Sequence, residues 1–287
     1  MSTGIEYVDE TWNPVTGCTK ISLGCTNCYA ARMAKRLAGR FGYPEKPHEF
    51  DVTFHPDKLE EPLHWHKPRV VFVCSMGDLF HEDVETTFLQ EIFSMMQTCN
   101  NHVFLVLTKR PKAMAEFMAW WLYAYRIGEK DGSSIEQVLP NVWLGVTIET
   151  QDEMWRVEEL LEIPAAKHWV SAEPCLSTLD FTPWLDQLNW LVLGGETGPR
   201  ARPMHPDWAR QVKDDCVAAG VPFYFKNWGG WHPAVWLTED GDIAAIRAEH
   251  DNSEDVFGDR TYMLPVPRRQ KSGRTLDGQQ WNEMPDG

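Results

Sequence analysis

The sequence contains no run approaching the roughly 20 consecutive apolar residues that a bilayer span requires, and residues 1–10 lack the basic-then-apolar order of a secretory signal. Both absences predict a cytoplasmic protein without a membrane partner. Basic residues are in deficit as well. Against 42 Asp and Glu stand 27 Lys and Arg, a formal net charge of −15, which disfavours nucleic acid as a whole-surface partner and leaves only local basic clusters as a route to one. No internal sequence repeat is visible. Seven cysteines in 287 residues, an odd number in a long chain, argue against a secreted disulfide framework. What is present, 43% hydrophobic and 24% charged residues, is the composition of a folded protein with one large domain, or one domain and an appendage.

From residue 69 onward, short β-branched or aromatic runs alternate with segments of helical period, the pattern of βα units on a parallel sheet. The runs at 70–74 (VVFVC), 103–107 (VFLVL), 142–146 (VWLGV), 168–172 (HWVSA), 190–193 (WLVL) and 221–225 (VPFYF) read as buried strands. Residues 5–8 and 51–54 are candidates for two more. Helices are predicted at 30–38, 84–98, 111–125, 152–161, 183–187 and 206–219, with Pro111 and Pro206 suited to a first helical turn. The fold expected is α/β, a complete or partial (β/α) barrel over residues 1–230. Residues 231–287 read as a C-terminal appendage or cap, with a hairpin at 234–246 turning on Asp240-Gly241.

In such a fold the chemistry gathers where strands end, and here those positions are polar. Ser75, Asp78 and His81 follow the first run, Thr108, Lys109 and Arg110 the second, and Thr147 and Glu149 the third. Ser171 and Glu173 close the fourth, Gly194-Gly195-Glu196 the fifth, and Lys226, Asn227 and Trp228 the sixth. Any one of these could serve as a helix cap or a surface ion pair; six strands ending this way suggest one lined pocket. The sharpest local signal lies upstream. Cys18, Cys25 and Cys28 form a C-x6-C-x2-C cluster in a glycine-containing loop leading into a helix. Three thiolates can hold three irons of a four-iron four-sulfur cubane and leave the fourth iron to a substrate or cofactor. With His48, His55, His64 or His66 as a fourth ligand the same cysteines could instead close a tetrahedral zinc site, and the spacing does not choose between the two metals. The remaining cysteines, Cys74, Cys99, Cys175 and Cys216, are dispersed, and three of them sit in or beside apolar runs as small buried hydrophobes do.

Four segments, TWNPVTGCTKISLGCTNCYAARMAK, GGETGPRARPMHP, AGVPFYFKNWGG and GRTLDGQQWNEMP, together resemble a phage-associated family of radical-SAM-like proteins over nearly the whole chain. The resemblance implies a 4Fe-4S cluster on Cys18, Cys25 and Cys28, S-adenosylmethionine chelating the open iron, and a 5′-deoxyadenosyl radical that abstracts hydrogen from a small molecule or a nucleobase in DNA, with electrons from an external reductant. On that reading Ser171, Glu173, Gly194, Gly195 and Glu196 lie near the cofactor, and Asp78, Lys109, Glu149 and Lys226 face the substrate. Three features depart from the common radical-SAM pattern: the first cysteine gap is six residues, Asn27 occupies the aromatic slot before the last cysteine while Tyr29 follows it, and the Gly-Gly-Glu follows one of the last strands. Basic clusters at Arg32, Lys35, Arg36 and Arg40, at Lys109, Arg110 and Lys112, at Arg200 and Arg202, and at Arg268, Arg269, Lys271 and Arg274 read as solvated faces, or, beside Tyr29, Trp228 and Trp231, as a track for phosphates and bases. Two further readings stay open: a noncatalytic zinc- or cluster-stabilised binding protein associated with nucleic acid, and a hydrolase using Glu149, Glu173 and Glu196.

Overall fold

The computed structural model describes residues 5–127, 138–233, 254–258, 261–266 and 272–286. In chain order the strands are β1 (Glu10–Trp12), β2 (Val15–Thr16), β3 (Thr53–Phe54), β4 (Val70–Val73), β5 (Val103–Thr108), β6 (Val142–Thr147), β7 (Lys167–Ala172), β8 (Trp190–Gly194), β9 (Phe223–Asn227), β10 (Trp231–Pro233), β11 (Glu254–Asp255), β12 (Tyr262–Pro265), β13 (Thr275–Leu276) and β14 (Gln279–Gln280). The α-helices are α1 (Tyr29–Leu37), α2 (Thr86–Thr98), α3 (Pro111–Ile127), α4 (Trp155–Leu161) and α5 (Pro206–Ala219). Seven strands make one sheet in the order β1-β4-β5-β6-β7-β8-β9, parallel throughout. Winding in one direction with right-handed crossovers sends the helices to one face and curls the sheet into a half-barrel. Small antiparallel sheets, β2-β3, β10-β12-β11 and β13-β14, are added to it.

Alternation along the strands separates two cores. Val71, Val73, Phe104, Val106, Val142, Leu144, Phe223 and Phe225 point outward and pack with the buried faces of the helices. Phe72, Leu105, Trp143, Trp169, Trp190, Val192 and Tyr224 point inward and form a separate cluster with Tyr7. The concave face is thus floored with tryptophan. Trp169 and Trp190 lie 5.4 Å apart between ring centroids, and Gly145 pairs in register with Trp169 across β6 and β7. A side chain at Gly145 would place its Cβ 2.5 Å from the Trp169 indole nitrogen. Gly145→Ala is therefore expected to cost about 1–3 kcal/mol by overpacking, measured as a lowered urea midpoint at unchanged slope.

Three of the predicted elements differ. Residues 5–8 are not a strand. Tyr7 instead meets Trp190 and Tyr224 edge-on, each at 5.2 Å, so burial on the concave face accounts for the apolar signal and the strand begins at Glu10. In the 51–54 run only Thr53 and Phe54 pair, antiparallel with Val15–Thr16 and outside the main sheet. Residues 183–187 form turns that bury Leu185, because a segment bounded by Pro183 is too short for a stable helix. By contrast α5 occupies its predicted range: the Asp207 N–H donates to His205 Nδ1 at its start, and Gly220 closes it in the left-handed conformation. The hairpin expected at 234–246 lies outside the described residues. The final segment runs back along the barrel, where Asn282 bridges Tyr224 antiparallel and the Trp190 indole donates to the Glu283 carbonyl at 2.9 Å. No helix among the described residues is long and apolar enough to cross a membrane.

Candidate functional site

The loop carrying Cys18, Cys25 and Cys28 is laid over the C-terminal rim of the half-barrel by close backbone contacts. Gly17, at φ +88, passes so near residue 51 that an added Cβ would lie 2.1 Å from the Asp51 carbonyl oxygen, and its N–H donates to the Met76 carbonyl at 3.0 Å. A 3-10 turn at Leu23–Cys25 follows, and Cys28 precedes the first residue of α1. Gly24 settles directly on Glu149, whose Cγ would be 2.4 Å from a Cβ at that position. All three cysteines are half-buried and unbridged.

Charged residues from four strand ends hold this loop. Glu149, after β6, has no exposed surface. It pairs with Lys109 from the end of β5 and with Arg156 of α4 at 2.8 Å, and accepts a hydrogen bond from Ser22 Oγ in the loop at 2.8 Å. Asp78, after β4, accepts from Thr108 Oγ1 at 2.7 Å, from the Lys109 N–H at 3.2 Å and from Arg110 Nη1 at 3.0 Å. Arg110 in turn reaches Cys18 Sγ at 3.4 Å and Thr19 Oγ1 at 2.8 Å. On the opposite side Glu196, after β8, accepts two hydrogen bonds from the Arg202 guanidinium, at 2.9 and 2.6 Å, and one from Asn27 Nδ2 at 3.0 Å. Arg202 also donates to the Leu23 carbonyl at 3.0 Å.

These fields separate the thiols. Burial, with Asp78 nearby, pushes Cys18 up to about 11. For Cys25 burial acts in the same direction, but the Lys109 ammonium and the Ser22 hydroxyl outweigh it and bring its pKa below the ordinary thiol value. Lys109 itself is pushed down by burial, which the nearby Cys25 and Cys28 partly oppose. Burial likewise opposes ionisation of Glu196, yet the hydrogen bonds from Arg202 and Asn27 prevail and hold its carboxyl below the usual range.

A second polar group lies along β7 and β9. Lys226 pairs with Glu173 at 2.7 Å, Ser171 donates to Glu173 at 3.1 Å, and Gly194 faces the same carboxylate, 2.8 Å from a would-be Cβ. Tyr7 reaches Glu173 from the concave face, its hydroxyl pKa raised first by burial and then by that carboxylate. Gly195 has a packing reason of its own. A Cβ there would meet the Trp228 carbonyl oxygen at 2.2 Å, and one at Gly229, φ +85, would meet the Glu196 carbonyl oxygen at the same distance. The Gly-Gly-Glu and Trp-Gly-Gly turns are interlocked backbones. Gly229→Ala is accordingly expected to cost about 1–3 kcal/mol more than Gly278→Ala. Gly278 also has a positive φ but has nothing within 4 Å, so the difference between the two urea midpoints isolates the contact from the backbone strain.

Of the residues singled out from sequence, Asp78, Lys109, Glu149 and Glu196 are brought to the cysteine loop, and Ser171, Glu173, Gly194 and Lys226 gather in the second group. Asp78 and Glu196 have their oxygens engaged by protein donors and act as positioning residues for Arg110 and Asn27. The strand-end rule missed Ser22, Asn27, Arg156 and Tyr7. Ser22 and Asn27 were legible only as members of the cysteine motif, and Arg156 lies inside α4, where a charged residue ordinarily signals a solvated face. Among the described residues no three His, Cys, Asp or Glu side chains are grouped so as to hold a single metal ion. A family model described as "Protein of unknown function (DUF5131)" matches residues 2–285. No curated protein and no solved structure matches the chain.

Proposed function

This chain belongs to the DUF5131 family, and we propose that it is an iron–sulfur enzyme of radical-S-adenosylmethionine type that acts on a small molecule or a nucleobase with electrons from an external reductant. The observation carrying this reading is the loop itself: three unbridged, half-buried thiols held over the open rim of a parallel half-barrel by buried charges from four strand ends. A cubane takes each cysteine at a separate iron, so its ligands need not converge as those of one ion do. The donor set also fits an anionic cluster, because Lys109 lies in the field of Cys25 and Cys28 and Arg110 donates to Cys18. When bound, the cluster and S-adenosylmethionine would supply a 5′-deoxyadenosyl radical for hydrogen abstraction.

The chain's own residues do the rest. Cys18, Cys25 and Cys28 bind the metal; Lys109 and Arg110 offset the charge of the thiolates; Asp78 and Glu149 hold those two cations in place. The tryptophan floor closes the concave face to water from below. Glu173, Ser171 and Lys226 offer the hydrogen-bonding groups suited to a methionine or ribose moiety, and Gly194 lets the Glu173 carboxylate lie close against the end of β8.

The zinc and hydrolase readings find less support. Among the described residues no three His, Cys, Asp or Glu side chains are grouped as a single zinc ion needs, and His55 is bonded to Thr16 at 2.8 Å and His48 to Asp51 at 2.7 Å. Glu149, Glu173 and Glu196 each have a cationic partner, which disfavours any of them as a general base. The test is to incubate anaerobically reconstituted, reduced protein with S-adenosylmethionine and to quantify methionine and 5′-deoxyadenosine. Equimolar formation of both, lost in the Cys18, Cys25 and Cys28 variants, is expected; cofactor left intact by a fully loaded protein would refute the proposal.

A further inference from the structure

Of the cations near the cysteine loop, Arg32 is half-buried and donates to the Thr197 carbonyl at 3.2 Å, and the rest fall into two sets. Lys109, Arg110 and Arg202 are committed to Glu149, Asp78 and Glu196. Lys20, Lys35, Arg36, Arg40 and Arg200 are all exposed, and among the described residues none of them is ion-paired. The segregation is built into the sequence: residues 11–44 contain five Lys and Arg and not one Asp or Glu, and residues 197–206 contain two Arg and no acid, within a chain of net charge −15. Two reaches of chain that meet, through Asn27 Nδ2 and the Arg200 carbonyl at 2.9 Å, are thus kept free of carboxylates. The exclusion runs along these two reaches, and the exposed carboxylates that border them include Glu45, beside Gly39, and Glu82, paired with Arg110.

The same surface exposes large apolar side chains. Tyr29 is 53% exposed at the start of the nine-residue helix α1, and Phe41 is 76% exposed four residues past its end. Ile21 and Leu23 are exposed beside them in the loop. Phe41 is the more telling of the two aromatics. It sits at φ +52, a left-handed conformation that a bulky residue adopts only under strain, and its ring lacks the burial that would offset the cost. An aromatic side chain that is both strained and exposed is accounted for by something that stacks on it.

We propose that the face formed by the cysteine loop, α1 and residues 197–202 binds single-stranded nucleic acid, with Lys20, Lys35, Arg36, Arg40 and Arg200 on the phosphodiester backbone and Tyr29 and Phe41 stacking on unpaired bases. Charge complementarity alone would equally suit an acidic protein; the aromatic side chains set among the cations favour a polynucleotide. The inference names the substrate class of the site proposed above and rests on that reading only for calling the bound strand a substrate, since binding needs no radical chemistry.

The test is fluorescence anisotropy with labelled 20-mer deoxythymidylate and uridylate single strands and a duplex of equal length, across a salt series, on the full chain. Cluster content is assayed on the same preparation, so that loss of the cluster and loss of binding are scored separately. Saturable binding that favours single strands is expected, with preference between the deoxy- and ribo-oligomer identifying the natural strand. Lys35→Ala with Arg36→Ala should weaken it about tenfold or more and flatten the log–log salt slope by roughly 0.7 per charge removed. Tyr29→Ala should weaken it by a similar factor without changing that slope. Phe41→Asn is the decisive variant: it relieves the left-handed strain, so thermal stability should be equal or higher while affinity falls several-fold. Lys67→Ala, exposed ahead of β4 at the other end of the barrel, should leave binding unchanged. No binding at 50 mM salt, or binding indifferent to Tyr29 and Phe41, would overturn the proposal, as would poly-glutamate competing as well as the oligonucleotide.

Discussion

Glu149→Ala is expected to destabilise the protein by about 3–5 kcal/mol, the cost of breaking a buried ion pair from one side. Glu149 has no exposed surface and Arg156 is 3% exposed, and Lys109 is held beside them under the cysteine loop. Removing the carboxylate leaves the buried Arg156 without that anionic partner and Lys109, whose side chain is 19% exposed, beside it, with a vacated volume below Gly24. The partial remedy open to Lys109, whose pKa is already depressed by burial, is to lose its proton; Arg156 has no such recourse. The control is Glu159→Ala. Its partner Lys112 is 3.7 Å away, with both side chains solvent-accessible, and the expected loss is below about 1 kcal/mol. Urea unfolding of both variants decides the matter; equal losses would show that the buried network does not hold the loop.

Cys25→Ser is expected to remove the bound iron, by roughly tenfold or more, and with it cleavage of S-adenosylmethionine, while the metal-free protein unfolds within about 0.5 kcal/mol of the parent. The separation of the two effects follows from the contacts. Cys25 Sγ has one side-chain hydrogen bond, a weak one to Ser22 at 3.5 Å, besides backbone hydrogen bonds from Ile21 and Ser22, whereas the loop is fixed by Gly17, Gly24, Ser22 and Asn27 through contacts that the substitution leaves intact. Had the cysteines been a structural staple, the same change would unfold the chain. Iron and sulfide content together with a urea curve on each protein distinguish the cases.

Six of the seven parallel strands, β4 to β9, were legible because each carries a run of β-branched and aromatic residues buried on both faces, and a run of that kind has few other places to go; β1, only Glu10–Trp12, carries no such run. The same rule misread residues 5–8, where Tyr7 is apolar for a different reason: it packs on the concave tryptophans from outside the ladder. The rim residues were legible as polar side chains following strands, but their partners were not. Asp78, Glu149 and Glu196 looked alike in sequence, and only the fold shows that Asp78 gathers four donors, that Glu149 is closed between two cations, and that Glu196 anchors Asn27. Arg156 was invisible because its burial depends on α4 packing over β6. The Gly-Gly pair read as room for a ligand; in the structure Gly195 makes room for the Trp228 backbone, a contact between segments more than thirty residues apart that no local signal carries.

The most direct measurement of the central claim is electron paramagnetic resonance of anaerobically reconstituted, dithionite-reduced protein, recorded with and without S-adenosylmethionine alongside total iron, sulfide and zinc. A reduced-cubane signal that shifts when the cofactor is added, with four irons per chain, is the predicted result. Stoichiometric zinc, or a cubane signal indifferent to the cofactor, would contradict it.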